Sequence, residues 1–254
     1  TIALNATPFG MAQQLATMAE GATGMVIAGT SLGRSIAPAL AALAGGALST
    51  NTTSVPSSVS PVVVERGAFS SKGIETIALS GGIPIVSFVP NSVGIHERAG
   101  AGTVESGEAT GTDLMTITEK TIASGKVALP EAEVVVSAGR GLKGPEHWGM
   151  IEELASVLGA ATACSKPVSD IGWRPHSEHV GQTGIQVNPN LYIAIGISGA
   201  IQHLAGVSAS KTIVVVNTDA EAPFFKAADY GIVGDAFEVV PQLVNAMRAF
   251  KAGQ

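Results

Sequence analysis

The chain predicts an α/β fold in two parts, a C-terminal doubly wound parallel sheet and a partial N-terminal α/β domain. Three observations predict it. Short apolar runs alternate with amphipathic segments after Glu133. Glycine-bearing turns follow several of those runs. The 254 residues hold 31 Gly but only 7 Phe, 2 Trp and 2 Tyr, so the core has to be built from Val, Ile, Leu and Ala. Small residues of that kind let helices lie close on a sheet.

In the first part, Phe9–Glu20 reads as an amphipathic helix with Met11, Leu15 and Met18 on one face. Met25–Ala28 is a short strand, Gly29–Gly33 a turn and Arg34–Leu43 a second helix, with Pro38 near its start. The fragment reads as the second half of a domain whose first half is missing. Pro61–Glu65, Glu75–Leu79 and Ile83–Val89 are strand-like pieces between Ser, Gly and Pro, as in a meander or a sheet edge. Leu114–Thr118 is expected as a last strand before a linker, which places the domains at 1–128 and 129–254.

In the second part the pattern sharpens. Strands are expected at Glu133–Ser137, Thr162–Ser165, Leu191–Ile195, Thr212–Val216 and Tyr230–Val233. Helices are expected at Glu146–Leu158, opened by Pro145, at Gly199–Ala205 and at Pro241–Lys251. Right-handed crossovers then bring every strand's carboxyl end to one edge.

Charge and composition exclude several functions. The net charge of -6 gives no basic face for nucleic acid or for an anionic membrane surface. No apolar run reaches the ~18 residues of a membrane span, so no membrane insertion is expected. The single cysteine, Cys164, excludes an internal disulfide and any multi-cysteine metal site within the chain. With no signal peptide visible, an intracellular, cytoplasmic protein is the expectation.

Four motifs bear on chemistry. Gly139-Arg140-Gly141-Leu142-Lys143-Gly144 fits the nucleotide-loop pattern, follows a strand and is expected to open a helix whose N–H groups would face a pyrophosphate. The next strand ends in Ser165-Lys166 rather than in the acidic residue of an NAD site, which disfavours an ordinary pyridine-nucleotide oxidoreductase. Polar residues recur at successive strand ends: Ser165 and Lys166, then Ser198, Gln202 and His203, then Asn217 and Asp235, with Gln182 and Thr183 in a long loop. Each alone fits a cap or a satisfied polar group, but together they suit a large ligand with many handles. Gly29-Thr30-Ser31-Leu32-Gly33 matches a nucleophile elbow, which leaves a serine hydrolase using Ser31 as an alternative, although the second oxyanion donor has no source. His176-x-x-His179 sits in a proline-marked loop unsuited to a rigid metal-ligand pair.

Those residues also resemble a known family. Val134 to Lys143, Val180-Gly181-Gln182-Thr183-Gly184, Leu191 to Gly206 and Asp229 to Asp235 are similar to the alpha subunit of electron transfer flavoproteins, and Gly29 to Arg34 with Ala37-Pro38 resembles its N-terminal domain. The Cys-Ser-Lys-Pro and Gly172-Trp173-Arg174-Pro175 stretches resemble a bacterial subgroup, for which a cytoplasmic location is implied; a eukaryotic member would occupy the mitochondrial matrix. The resemblance implies an electron carrier with no substrate chemistry of its own. It implies FAD in the C-terminal domain, an electron transfer flavoprotein beta subunit as heterodimer partner, and transient exchange with dehydrogenases and a quinone-linked or other acceptor. Carried over by position, the FAD residues are Arg140, Ser165, Lys166, Val180, Gly181, Gln182, Thr183, Ser198, Gly199, Ala200, Ile201, Gln202, His203, Asn217 and Asp235. The resemblance places Thr183 near flavin N5 and His203 near the pyrimidine carbonyl, where a protonated imidazole would favour the reduced ring.

Overall fold

The computed structural model describes residues 7–69, 73–94, 97, 100, 116–119 and 127–253. The chain divides into two compact units, Thr1–Ser124 and Gly125–Gln254.

The first unit builds from helix α1 (Pro8–Met18), strand β1 (Met25–Ala28), helix α2 (Ser31–Ala44) and strands β2 (Gly46–Thr52), β3 (Ser58–Val59), β4 (Val62–Ala68), β5 (Gly73–Leu79) and β6 (Ile83–Phe88). Thr7 caps α1 and Thr30 caps α2, each side chain accepting from the backbone N–H three residues on, at 3.4 and 3.2 Å. The sheet runs β1-β6-β2-β4-β3, with β5 on the other side of β4. The first three strands are parallel, while β3, β4 and β5 are antiparallel; of the expected meander, Pro61–Glu65 and Glu75–Leu79 fall in β4 and β5, but Ile83–Val89 becomes β6, a parallel strand between β1 and β2. Alternation along β6 divides the core: Ile85 packs with Ala12, Ile36 and Leu40 under the helices, and Val86 packs with Val64 and Leu79.

Several expectations shift here. α2 begins at Ser31, three residues early, and Pro38 lies within it rather than near its start. β2 was hidden because Gly46–Thr52 shows no clear alternation and carries an irregularity between Ser49 and Thr52, whose hydroxyls bond at 3.0 Å. Of the strand expected at Leu114–Thr118, residues 114 and 115 lie outside the described residues, and 116–118 have no regular structure.

The second unit is a five-stranded, wholly parallel sheet in the order β11-β10-β9-β7-β8. Its strands are β7 (Val134–Ala138), β8 (Ala161–Cys164), β9 (Leu191–Ile195), β10 (Ile213–Asn217) and β11 (Tyr230–Val233). Helices α3 (Gly149–Leu158), α4 (Lys166–Asp170), α5 (Ile201–Leu204) and α6 (Ala236–Ala252) join or follow them. The chain winds outward from β7 to β8, then returns across β7 to β9 and on to β11. The strand order therefore reverses between β7 and β9, and ligand crevices form at the carboxyl edge of such a reversal.

Alternate residues feed two separate cores. Val136, Ala138, Ile193, Ile195 and Val216 face α3 and α6, meeting Ile151, Leu154, Val240 and Val244. Val135, Tyr192, Ala194 and Val215 face the opposite side, which is covered by Val180, Val187, Val207 and Phe224 from loops and short turns. That loop-covered side leads to the carboxyl edge where the polar residues gather. Among the described residues no helix is long and apolar enough to cross a membrane.

Candidate functional site

A cavity of about 510 Å³ opens at the carboxyl edge of the second unit, within the range of small-molecule sites. Four segments wall it. The β7 end gives Arg140; the β8 end gives Ser165, Lys166, Pro167 and Asp170; the loop after the 3-10 turn His176–Glu178 gives His179 to Thr183; the β9 end gives Gly196, Ile197, Ser198, Ala200, Gln202 and His203. The pocket therefore collects all the residues expected from sequence except Gly199, Ile201, Asn217 and Asp235.

Three of those four have local duties. Gly199, at φ +82°, lies so close to Phe224 that a Cβ would stand 2.5 Å from its backbone nitrogen. Ile201 is exposed at the start of α5. Asn217 closes the β10 turn, donating to the Ile197 carbonyl at 3.0 Å and accepting from Asp219 N–H at 3.1 Å. Asp235 caps α6 through Phe237 N–H at 3.0 Å and pairs with Lys143 at 3.3 Å. The Phe237 amide and the lysine hold its carboxyl below the usual carboxylate range.

The glycine loop departs from the expected design. It does not open a helix: Arg140–Leu142 and Pro145–His147 are separate 3-10 turns, and α3 starts only at Gly149. Gly139 and Gly141 serve packing, because a Cβ on Gly139 would overlap the Gly196 carbonyl and one on Gly141 would stand 2.6 Å from Gly196 Cα. The N–H groups of Gly139 and Gly141 donate to Ile195 and Gly196 carbonyls at 2.9 and 3.1 Å, so the pairing of β7 with β9 continues past the strands. Arg140 is left exposed beside the cavity, as a cationic side chain suited to phosphate.

The loop from Val180 to Gly184 is tied down at its start and its middle. Val180 N–H donates to the Cys164 carbonyl at 3.0 Å, and Gln182 N–H to the Gln202 carbonyl at 2.7 Å. Gly181, at φ +154°, touches Gly206, where a Cβ would stand 2.6 Å from Gly181 Cα. Thr183 and Gln182 stay exposed and free to meet a ligand.

His203 stands deep in the cavity wall. It is 7% exposed, and its Nε2 lies 2.9 Å from the hydroxyl of the fully buried Tyr192. Burial pushes the imidazole down to about 4, with His179 adding to the effect and the Val180 backbone opposing it. At neutral pH the ring is therefore uncharged.

His179, Asp170, Pro167, Gly196 and Ile197 were missed as wall residues. His179 appeared in the sequence only as half of a weak metal pair, and among the described residues no cluster of His, Cys, Asp and Glu could hold a metal. Its ring lies under Gly184, whose Cβ would meet Nδ1 at 2.7 Å. Burial lowers its pKa, and Asp170 opposes that while Lys166 and His176 reinforce it. Behind this wall, Arg174 grips Glu178 through two bonds of 2.7 and 2.6 Å and Glu152 through one of 3.1 Å, with its guanidinium 5.3 Å from the Trp148 ring. Cys164 is buried, and burial pushes its thiol up to about 12, which leaves it unreactive. At the elbow-like turn of the first unit, Ser31 is the exposed first residue of α2; Thr30 makes the cap, and a Cβ on Gly33 would overlap the Ala28 carbonyl.

Comparison with known proteins accords with this geometry. Residues 128–208 match the family model described as the electron transfer flavoprotein FAD-binding domain, and residues 3–113 match that of the electron transfer flavoprotein domain. The chain is 41% identical over 228 residues to an electron transfer flavoprotein subunit alpha of Syntrophomonas wolfei, covering 88% of this chain and 72% of that one. It is 39% identical over 233 residues to the Bacillus subtilis subunit, covering 90% and 72%. It is 43% identical over 244 residues to the Mycobacterium tuberculosis subunit, covering 93% and 76%. With both units matched in turn and relatives this similar along most of their length, the chain belongs to the electron transfer flavoprotein alpha-subunit family, whose C-terminal domain is an FAD-binding domain.

Proposed function

We propose that the chain holds one FAD in the cavity of its second unit and acts as an electron carrier paired with a beta subunit. In this reading dehydrogenases reduce it in the bacterial cytoplasm, and a quinone-linked or other acceptor reoxidises it. The observation that carries the reading is the gathering of Arg140, Ser165, Lys166, Gln182, Thr183, Ser198 and Gln202 around one cavity at the carboxyl edge.

The donor set suits the cofactor. Arg140 and Lys166 supply positive charge for a pyrophosphate, the arginine with a fork that can take two oxygens. Ser165 is buried at the cavity wall and makes no capping bond to α4, which leaves its hydroxyl for the ligand. Thr183 and Gln182 stand on the pinned loop and would address the ring system. FAD, once bound, supplies the redox chemistry, and the protein residues bind, orient and tune it. Of the expected residues outside the wall, Gly199, Asn217 and Asp235 then support the site through the turns and the cap they shape.

The test is purification of the full chain co-expressed with a beta subunit, followed by flavin extraction. One FAD per chain and a visible flavin spectrum that bleaches on reduction are expected. A colourless complex, or FAD retained when both Arg140 and Lys166 are replaced by Gln, would overturn the assignment of this cavity.

A further inference from the structure

Two of the segments that wall the cavity meet where Cys164 and His179 pair in parallel. Ser165 and Lys166 stand on one side of that junction, Gln182 and Thr183 on the other. A backbone bond closes it, from Val180 N–H to the Cys164 carbonyl at 3.0 Å. Arg174 lies behind the junction and outside the wall. Its backbone leaves the turn that ends α4, where Gly172 N–H donates to the Ser169 carbonyl at 3.0 Å and Trp173 N–H to the Val168 carbonyl at 3.1 Å. Its fork takes both carboxylate oxygens of Glu178, the residue before His179, from Nε at 2.7 Å and Nη2 at 2.6 Å. The third donor, Nη1, reaches Glu152 on α3 at 3.1 Å. Both members of the pair stand close enough to Cys164 for their charges to act on its thiol, in opposite senses.

We propose that Arg174 is a positioning residue for the cofactor pocket: its two-pronged hold on Glu178 sets how the 179–183 wall stands against the end of β8, and so the spacing of Ser165 and Lys166 from Gln182 and Thr183. The link from Glu178 to the wall has little slack. Glu178 N–H donates to the Pro175 carbonyl at 3.0 Å and His179 N–H to the His176 carbonyl at 3.1 Å, so the short turn moves as one piece with the residue that enters the wall. Two parallel bonds fix rotation as well as distance, which a single point of charge does not. Glu178 is buried, so releasing the grip would strand a carboxylate away from water, and the pair stays closed. An apolar pair of the same size would stabilise the unit as well or better. What the ion pair adds at this junction is direction, and contact groups in a binding site tolerate only about 0.5 Å of play.

This inference rests on the reading of the cavity as the FAD site, and it deepens that reading. It makes a residue that touches no ligand responsible for the pose of the segment that does.

The experiment uses the full chain with its co-purified partner and cofactor, and compares Arg174→Lys, Glu178→Asp and Glu152→Ala. Lysine keeps the charge without the fork, and aspartate draws the carboxylate back by one methylene. Well below their melting temperatures, these two variants should release FAD about fivefold faster than the parent, roughly one hydrogen bond's worth of order. Hydrogen exchange in both should quicken at the Val180 and Gln182 amides and keep the parent's rate at Ile193 and Val215, in β9 and β10. Glu152→Ala cuts the link to α3 and leaves the grip on Glu178, so it should lower the melting temperature without speeding FAD release. Release at the parent's rate in either folded grip variant overturns the proposal. So does equal acceleration by Glu152→Ala, or failure of both grip variants to fold, since Arg174 would then brace the whole unit. If the parent complex carries no FAD, the cofactor reading fails, and the exchange at Val180 and Gln182 still decides whether Arg174 positions the wall.

Discussion

Gly141 and Gly196 meet backbone to backbone where β7 and β9 run out, Gly141 N–H donating to the Gly196 carbonyl at 3.1 Å. A Cβ on either would stand 2.6 or 2.8 Å from the other's Cα. Gly196 also sits at φ +62°, which side chains with a Cβ disfavour. The contact seals the seam from which Arg140 projects.

Gly141→Ala and Gly196→Ala should each cost about 1–3 kcal/mol of stability by forcing the two loops apart. Bound FAD should fall in parallel, because Arg140 and Ser198 move with them. Thermal unfolding and flavin stoichiometry test this, and a variant with the parent's melting temperature would refute the close contact.

The lowered pKa of His203 predicts how stability depends on acid. Its folded value of about 4 lies below the ordinary 6.5, so the unfolded chain takes up the proton first. Stability from this group is complete above pH 6.5 and is lost as pH falls towards 4, by about 3 kcal/mol over the window. Denaturant unfolding at several pH values should show a shallower acid loss in His203→Gln than in the parent. Identical slopes would mean that the imidazole is not buried uncharged.

Lys166 opens α4 at the cavity edge and remains exposed. A positive charge there favours the form of a bound flavin that has gained an electron, by on the order of 1 kcal/mol at a solvent-screened position. Lys166→Gln should lower the midpoint potential and Lys166→Arg should preserve or raise it. Equal potentials for Lys and Gln in spectroelectrochemistry would place the ammonium in solvent.

Thr183→Val keeps the side-chain shape and removes the hydroxyl. FAD should remain bound, with the midpoint potential altered by the loss of a hydrogen bond worth about 1 kcal/mol. An unaltered potential would remove Thr183 from contact with the ring.

Arg174 holds Glu178 in a two-pronged grip and links it to Glu152 on α3, with 16% of its side chain exposed. Arg174→Ala should destabilise by about 3 kcal/mol because Glu178 is left buried and unpaired. Arg174→Lys should recover only part of that, since an ammonium cannot match both carboxylate oxygens at once. Melting temperatures of the two variants rank these costs, and a lysine variant as stable as the parent would refute the role of the fork.

The parallel sheet of the second unit was legible because its inner strands are covered on both faces and read as uninterrupted runs such as Val134-Val135-Val136 and Val214-Val215-Val216. β2 was not legible, since Gly46–Thr52 carries its irregularity among Ser, Thr and Asn. The wall residues at strand ends were visible as polar interruptions after apolar runs. Asn217 and Asp235 have the same appearance but spend their side chains on a turn and a helix cap, which residue type alone does not distinguish. His179 was obscured because it enters the wall through a loop pairing with Cys164, a contact with no local signature. The depth of His203 was equally hidden: its lowered pKa comes chiefly from burial, which depends on packing that residue type does not reveal.

Val134 lies in register with Leu191, whereas β10 and β11 come together across much shorter stretches of chain. Closing a long loop carries an entropy cost that local pairings avoid, so the β7–β9 seam is a natural late event in folding. The amides of Gly139 and Gly141 extend that seam to the cavity's rim. The cavity wall is complete only when β9 and the turn after it have joined β7. A ligand that binds only this joined form stabilises the seam by mass action, so flavin bound at the rim would also hold β7 and β9 together.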